Sequence, residues 1–160
     1  MQNLRRNRAA VNRTDIPDLL SLYGLAEEAH IPVYWYSMES GLESLVVETA
    51  PGRTAIAIDP LKLTGLGDEK YKLAHELGHS LTGSLYRRST PLDERGRNEQ
   101  RADRWAIEHL LPFESLEAAV STGRTRMEEL ADYFQLPQNF IEMAVAYYTG
   151  PKGLILCREG

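Results

Sequence analysis

A chain of 160 residues, 42% of them hydrophobic, is long enough to close one domain around a buried core. Its net charge is −5; the four arginines of residues 1–13 leave residues 14–160 with 14 basic and 23 acidic side chains, a net −9. That acidic body argues against direct nucleic-acid binding, which needs a basic face, and no run of about 18 apolar residues is present to span a membrane.

The first segment, MQNLRRNRAAVNR, lacks the apolar core of a secretory signal, and residues 1–13 read as a basic, disordered tail. Residues 14–150 read as the folded domain and 151–160 as a C-terminal tail. Residues 15–29 carry apolar side chains at helical spacing despite Gly24. IPVYWY (31–36), SLVVE (44–48) and TAIAI (54–58) are short, rich in β-branched or aromatic residues and separated by turn formers. They predict three strands of a small antiparallel sheet. Residues 59–68 predict a loop that leads into a helix over 68–83, with Asp68 as its N-cap. Residues 84–98 are polar and punctuated and predict an exposed loop. Helices follow over 97–111, 113–121, 124–135 and 137–148, with breaks at Pro112 and Pro137. Strands first and helices after predict an α+β fold. Cys157, the single cysteine, can form no internal disulfide and reads as a small apolar residue; with no signal peptide, this favours a reducing cytoplasm.

The chemistry concentrates in KLAHELGHSLTG, residues 72–83. A shuffled chain with these 4 histidines would contain H-E-x-x-H in roughly 1% of cases, so the motif needs support from the rest of the chain. At about 100° per residue, His79 falls about 40° from His75, and Glu76 falls about 100° from it. Both imidazoles then leave one face and can ligate one ion, with Glu76 beside them to reach a water. Leu73, Ala74, Leu77 and Leu81 fall on the opposite, apolar face. This layout suits a catalytic zinc helix better than a pair of core histidines.

Zinc needs a third protein ligand. In RNEQRADRWAIEHLLP, Glu99 and Asp103 share a narrow stripe with Ala102, Ala106 and Leu110, while Arg97, Arg101, Arg104 and Glu108 gather on the other side. Small alanines let this helix approach the first, and two acids on an apolar stripe are costly unless paired or metal-bound. Glu99 reads as the third ligand, with Asp103 or Glu94 as alternatives. Asp103 reads as an acceptor for a ligating histidine N–H, fixing the tautomer of the ring. His30 and His109 read as structural.

KLAHELGHSLTG followed by E-x-x-A-D-x-W-A and LLP resembles the ImmA/IrrE-type metallopeptidase family, and AEEAHIPVYWY and TAIAIDP fit its upstream part. The resemblance covers residues 15–148, with specific motifs in 72–83 and 99–112. It implies a zincin-like core, a zinc cofactor on His75, His79 and Glu99, and Glu76 as general base. Ala102, Asp103 and Ala106 match positions that pack and support the site. It also implies cytoplasmic cleavage of a helix-turn-helix repressor, in a phage, mobile-element or stress-response setting. Departures are Arg101 where many members have Glu, Trp105 for Phe, and HSLTG in place of an HYLLH-like continuation.

The expected reaction is metal-assisted peptide hydrolysis, with TAIAI as the edge strand on which a substrate pairs and Tyr86 as a candidate oxyanion donor. Two other readings remain. One is a zinc domain that binds a regulator without cutting it; the need for Glu76 separates the two. The other, a DNA-reading helix pair at 124–148, is disfavoured by its acidity.

Overall fold

A computed structural model describes residues 16–39, 41–85 and 89–156. The readings made for residues 1–13, Tyr86 and Cys157 lie outside them. Helix α1 (Leu19–Glu28) is followed by strands β1 (Val33–Trp35), β2 (Ser44–Ala50) and β3 (Arg53–Ile58), then by helices α2 (Leu66–Thr82), α3 (Leu92–Leu110), α4 (Phe113–Ser121), α5 (Met127–Phe134) and α6 (Gln138–Thr149). The class is α+β, as the order of patterns predicts.

The sheet is mixed, not wholly antiparallel. Its order is β1-β3-β2; β2 pairs antiparallel with β3, whereas β1 runs parallel to it, Val33 opposite Ile56 and Trp35 opposite Ile58. The β2–β3 turn places Gly52 in the left-handed region (φ 72), which favours glycine. After β1 the chain instead crosses the end of β3. Buried Asp59 holds that crossing by accepting from the Met38 N–H at 2.8 Å, and Lys62 Nζ donates to the Met38 and Leu42 carbonyls. TAIAI is therefore the central strand with both edges used, so it is not the open edge. The open edges belong to β1 and β2.

Helix α2 begins earlier than predicted. Gly65 (φ 155) is its N-cap, and Asp68 lies inside the first turn, where its carboxylate reaches back to the Thr64 N–H at 3.0 Å and pairs with Lys72. Helix α3 also starts early: Leu92 opens it, so residues 92–98 of the predicted 84–98 loop are helical. Asp93 and Glu94 in its first turn complement the helix dipole, and Asp93 pairs with Arg97 one turn on. Polar composition there marks a solvated helix face rather than a loop.

The core forms where α2, α3 and α6 meet the inner face of β3. Leu73 and Leu77, Ala106 and Leu110, Phe140 and Ile141, and Ile56 and Ile58 are all buried in one cluster. Burying each large aliphatic side chain contributes about 1.5–3 kcal/mol. Leu81, predicted to join this back face, is instead 42% exposed.

Candidate metal centre

The apolar back of α2 fixes which way its other face points. With Leu73, Ala74 and Leu77 fully buried, His75, Glu76 and His79 face β2 and α3. His75 Nε2 and His79 Nε2 lie 3.1 Å apart. Across from them, α3 supplies Glu99, whose Oε2 is 3.2 Å from His75 Nε2 and whose Oε1 is 3.3 Å from His79 Nε2. Among the described residues this trio forms a group able to hold a metal ion, its donor atoms all within 4.8 Å of one another.

The remaining ring nitrogens decide how the imidazoles are aimed. His75 Nδ1 is 2.9 Å from Asp103 Oδ1, one turn beyond Glu99 on α3. His79 Nδ1 is 2.9 Å from the Ser84 carbonyl oxygen. Both partners are acceptors, so each Nδ1 carries the hydrogen and each Nε2 is directed at the shared point. Burial opposes charge on the His75 ring, but hydrogen bonds to Asp103 and Glu99 outweigh it and raise His75 to about 10. A cation at the shared point would replace that proton.

These donors fit zinc. A tetrahedral ion with bonds of about 2.0–2.1 Å sets its ligand atoms about 3.3–3.4 Å apart, close to the spacings present. Two imidazoles and a carboxylate also form a common set for catalytic zinc, with a fourth position left over. Asp103 spends its oxygen on Nδ1 and Glu94 is exposed outside the group, so Glu99 best fills the third place.

The Ser84 contact arises from the end of α2. Gly83 adopts the left-handed region (φ 64), its N–H caps the His79 carbonyl, and the chain folds back so that Ser84, fully buried, meets the ring of the same histidine. Sequence reading marked the helix end near Gly83 but missed Ser84, because a backbone acceptor has no side-chain signature.

Glu76 is 5% exposed and accepts a hydrogen bond from Ser44 Oγ at 2.7 Å. Burial raises its pKa, and the Ser44 hydroxyl and the neighbouring histidines pull it back. Ser44 was also missed; it lies 32 residues away on β2. Tyr71, one turn before His75, packs edge-on to that ring, and its hydroxyl is pushed up by burial and by the Asp103 and Glu99 carboxylates. His109 stacks on Trp105, and His30 closes α1 with φ 57; both stay away from the trio.

The cleft holding these groups has a volume of ≈ 820 Å³ and is bounded by β2 from Ser44 to Val47, by Tyr71 and by Glu99. A larger groove of ≈ 1470 Å³ adjoins it at Val46, Val47 and Leu85 but contains none of the trio. The smaller cleft is the one lined by His75, Glu76, His79 and Glu99.

Residues 26–145 match the family model Peptidase_M78, the IrrE N-terminal-like domain. The chain belongs to this family. Neither the curated proteins nor the solved structures yield a match to it. Membership in Peptidase_M78 supports a metallopeptidase, and His75, His79 and Glu99 form a group able to hold a metal ion. Among the described residues no helix is long and apolar enough to cross a membrane.

Proposed function

We propose that this Peptidase_M78 member is a zinc-dependent endopeptidase that cuts a protein substrate, a cytoplasmic helix-turn-helix repressor. The observation that carries the chemical half is the convergence of His75 Nε2, His79 Nε2 and the Glu99 carboxylate beside buried Glu76. The repressor half, with its phage, mobile-element or stress-response setting, rests on the family resemblance alone.

His75, His79 and Glu99 would hold the zinc, which when bound would supply Lewis acidity to water and to the scissile carbonyl. Asp103 and the Ser84 carbonyl hold the two imidazoles in the tautomer that ligates. Glu76 is not a ligand in this reading. Its carboxylate accepts the proton of the attacking water and returns it to the leaving amine, and burial makes it a better proton acceptor than a solvated glutamate.

An extended substrate segment pairs with the open edge of β2. The Asp59 N–H bonds the Glu43 carbonyl, so alternation along the antiparallel pair turns the backbone N–H and C=O of Glu43, Leu45 and Val47 toward β3 and those of Ser44 and Val46 toward the open edge. The acidic body favours a protein partner over nucleic acid.

The test is co-expression with any helix-turn-helix repressor encoded in the neighbourhood of this gene. A discrete fragment with wild type, and an intact repressor with a zinc-retaining Glu76→Gln variant, would support the reading. An intact repressor held in a stable zinc-dependent complex by wild type would turn it to a binding domain. Equal cleavage by wild type and Glu76→Gln would sink the mechanism.

A further inference from the structure

Glu76 sits on a helix, yet its carboxylate is anchored from the sheet. Among the described residues its one hydrogen bond comes from Ser44 Oγ. Ser44 opens β2, and its Cα is fixed by register opposite Ile58 on the central strand. The residue before it is fixed as well: the Glu43 carbonyl accepts from the Asp59 N–H, and the Glu43 carboxylate pairs with Lys72 Nζ at 3.0 Å, one turn ahead of Glu76 on α2. Glu43, just before β2, and Ser44, its first residue, thus grip two successive turns of the metal-site helix. The crossing that delivers them is itself tied down by Lys62.

We propose that Ser44 is a positioning residue for Glu76, its hydroxyl holding one carboxylate oxygen and leaving the other to exchange a proton with water in the cleft. This rests on the reading of Glu76 as the proton acceptor. A glutamate side chain has three rotatable torsions, and a single strong hydrogen bond to one oxygen selects one orientation of the carboxyl plane. The bond has a second consequence. The backbone N–H and C=O of Ser44 turn to the open edge of β2, where an extended peptide pairs. The residue that meets the substrate through its backbone therefore aims the proton acceptor through its side chain. A peptide seated on β2 steadies Ser44, and Ser44 steadies Glu76.

The experiment uses the full chain loaded with zinc, as wild type, Ser44→Ala, Ser44→Thr, Ser44→Cys and Glu76→Gln. Crystal structures report the orientation of the Glu76 carboxylate, elemental analysis reports bound zinc, and kcat and KM are read on the repressor substrate. Ser44→Ala should keep zinc at the wild-type level, with the Glu76 carboxylate rotated or split over two orientations. Loss of one hydrogen bond of about 1–1.5 kcal/mol should lower kcat about tenfold with KM within about twofold. Ser44→Thr restores the hydroxyl and should restore both orientation and kcat. Ser44→Cys, similar in shape with a weak donor, should resemble the alanine variant, and it replaces that variant if alanine fails to fold. A Glu76 carboxylate superposing on wild type in Ser44→Ala and Ser44→Cys would overturn the proposal, as would full kcat in either. The two readings fail differently. An active Glu76→Gln defeats the peptidase mechanism; an inactive Glu76→Gln beside a fully active Ser44→Ala defeats the positioning role alone.

Discussion

A Cβ added to Gly78 would lie 2.8 Å from the carbonyl oxygen of Ala102 and 3.0 Å from its Cα. Helices α2 and α3 therefore cross at backbone contact, one residue before His79 and one turn after Glu99. That closeness is what lets a short glutamate side chain bring an oxygen within 3.3 Å of each histidine. The neighbour that would have to give way is backbone, and it cannot rotate aside as a side chain would.

Gly78→Ala should therefore weaken zinc binding at least tenfold while the fold survives. Overpacking costs about 1–3 kcal/mol, and the better helix propensity of alanine returns up to about 1 kcal/mol. Chelator competition reads the affinity and thermal unfolding of the metal-free protein reads the stability. Unchanged affinity would mean that Glu99 does not depend on this crossing.

Glu99 and Asp103 lie one turn apart on α3 and touch opposite sides of His75. Glu99→Ala removes a donor from the trio and should produce the larger loss of zinc. Asp103→Ala leaves the trio but frees the His75 ring, and should cost about 10–100-fold in affinity. A larger loss in Asp103→Ala would move the third ligand by one helical turn.

The faces of α2 and α3 were legible because helical periodicity is a local property. Seven residues of KLAHELGHSLTG suffice to set His75 and His79 against Leu73 and Leu77. The alanines of α3 announced a close approach, and Gly78 completes it from the other side. Strand partnership is not local. Nothing in IPVYWY or TAIAI distinguishes a parallel neighbour from an antiparallel one; that choice follows from a crossing pinned by Asp59 and Lys62, far from β1 in sequence. Ser44 and Ser84 were invisible for related reasons. One acts across 32 residues and the other through its backbone. The start of α3 was missed because charged, glycine-bearing sequence reads as a loop until a dipole and an i,i+4 pair are credited to it.

His109 gives a pH dependence separate from the metal centre. It stacks on Trp105 with ring centres 4.6 Å apart, and burial holds its pKa below that of an ordinary imidazole. The unfolded chain then binds more protons than the folded one as pH falls. Stability is full above the unfolded value, about 6.5, and is lost as pH drops from there through the lower folded value. His109→Phe keeps a stacking ring without the titration. Denaturant unfolding of metal-free wild type and variant at pH 8 and pH 5 should show the variant losing less stability on acidification. Parallel losses would place the acid sensitivity elsewhere.

The open edge of β2 makes the last prediction, because it separates backbone pairing from side-chain contact. Val46 pairs opposite Ile56 in a position whose N–H turns away from β3, whereas Val47, opposite Ala55, bonds across to it. Val46 also lies where the metal-site cleft and the larger groove meet. Proline removes an N–H and is tolerated on an edge strand where that N–H points outward. Val46→Pro should keep the fold and the zinc but raise KM for the protein substrate about five- to tenfold, the value of one backbone hydrogen bond of about 1–1.4 kcal/mol. Val46→Ala, which keeps the N–H, should change KM less. Val47→Pro removes a bond within the sheet and should lower thermal stability instead. If Val46→Pro binds and cuts as wild type does, the substrate does not add a strand to β2. If Val46→Ala matches the proline variant, the valine side chain, not the backbone, is what the substrate meets.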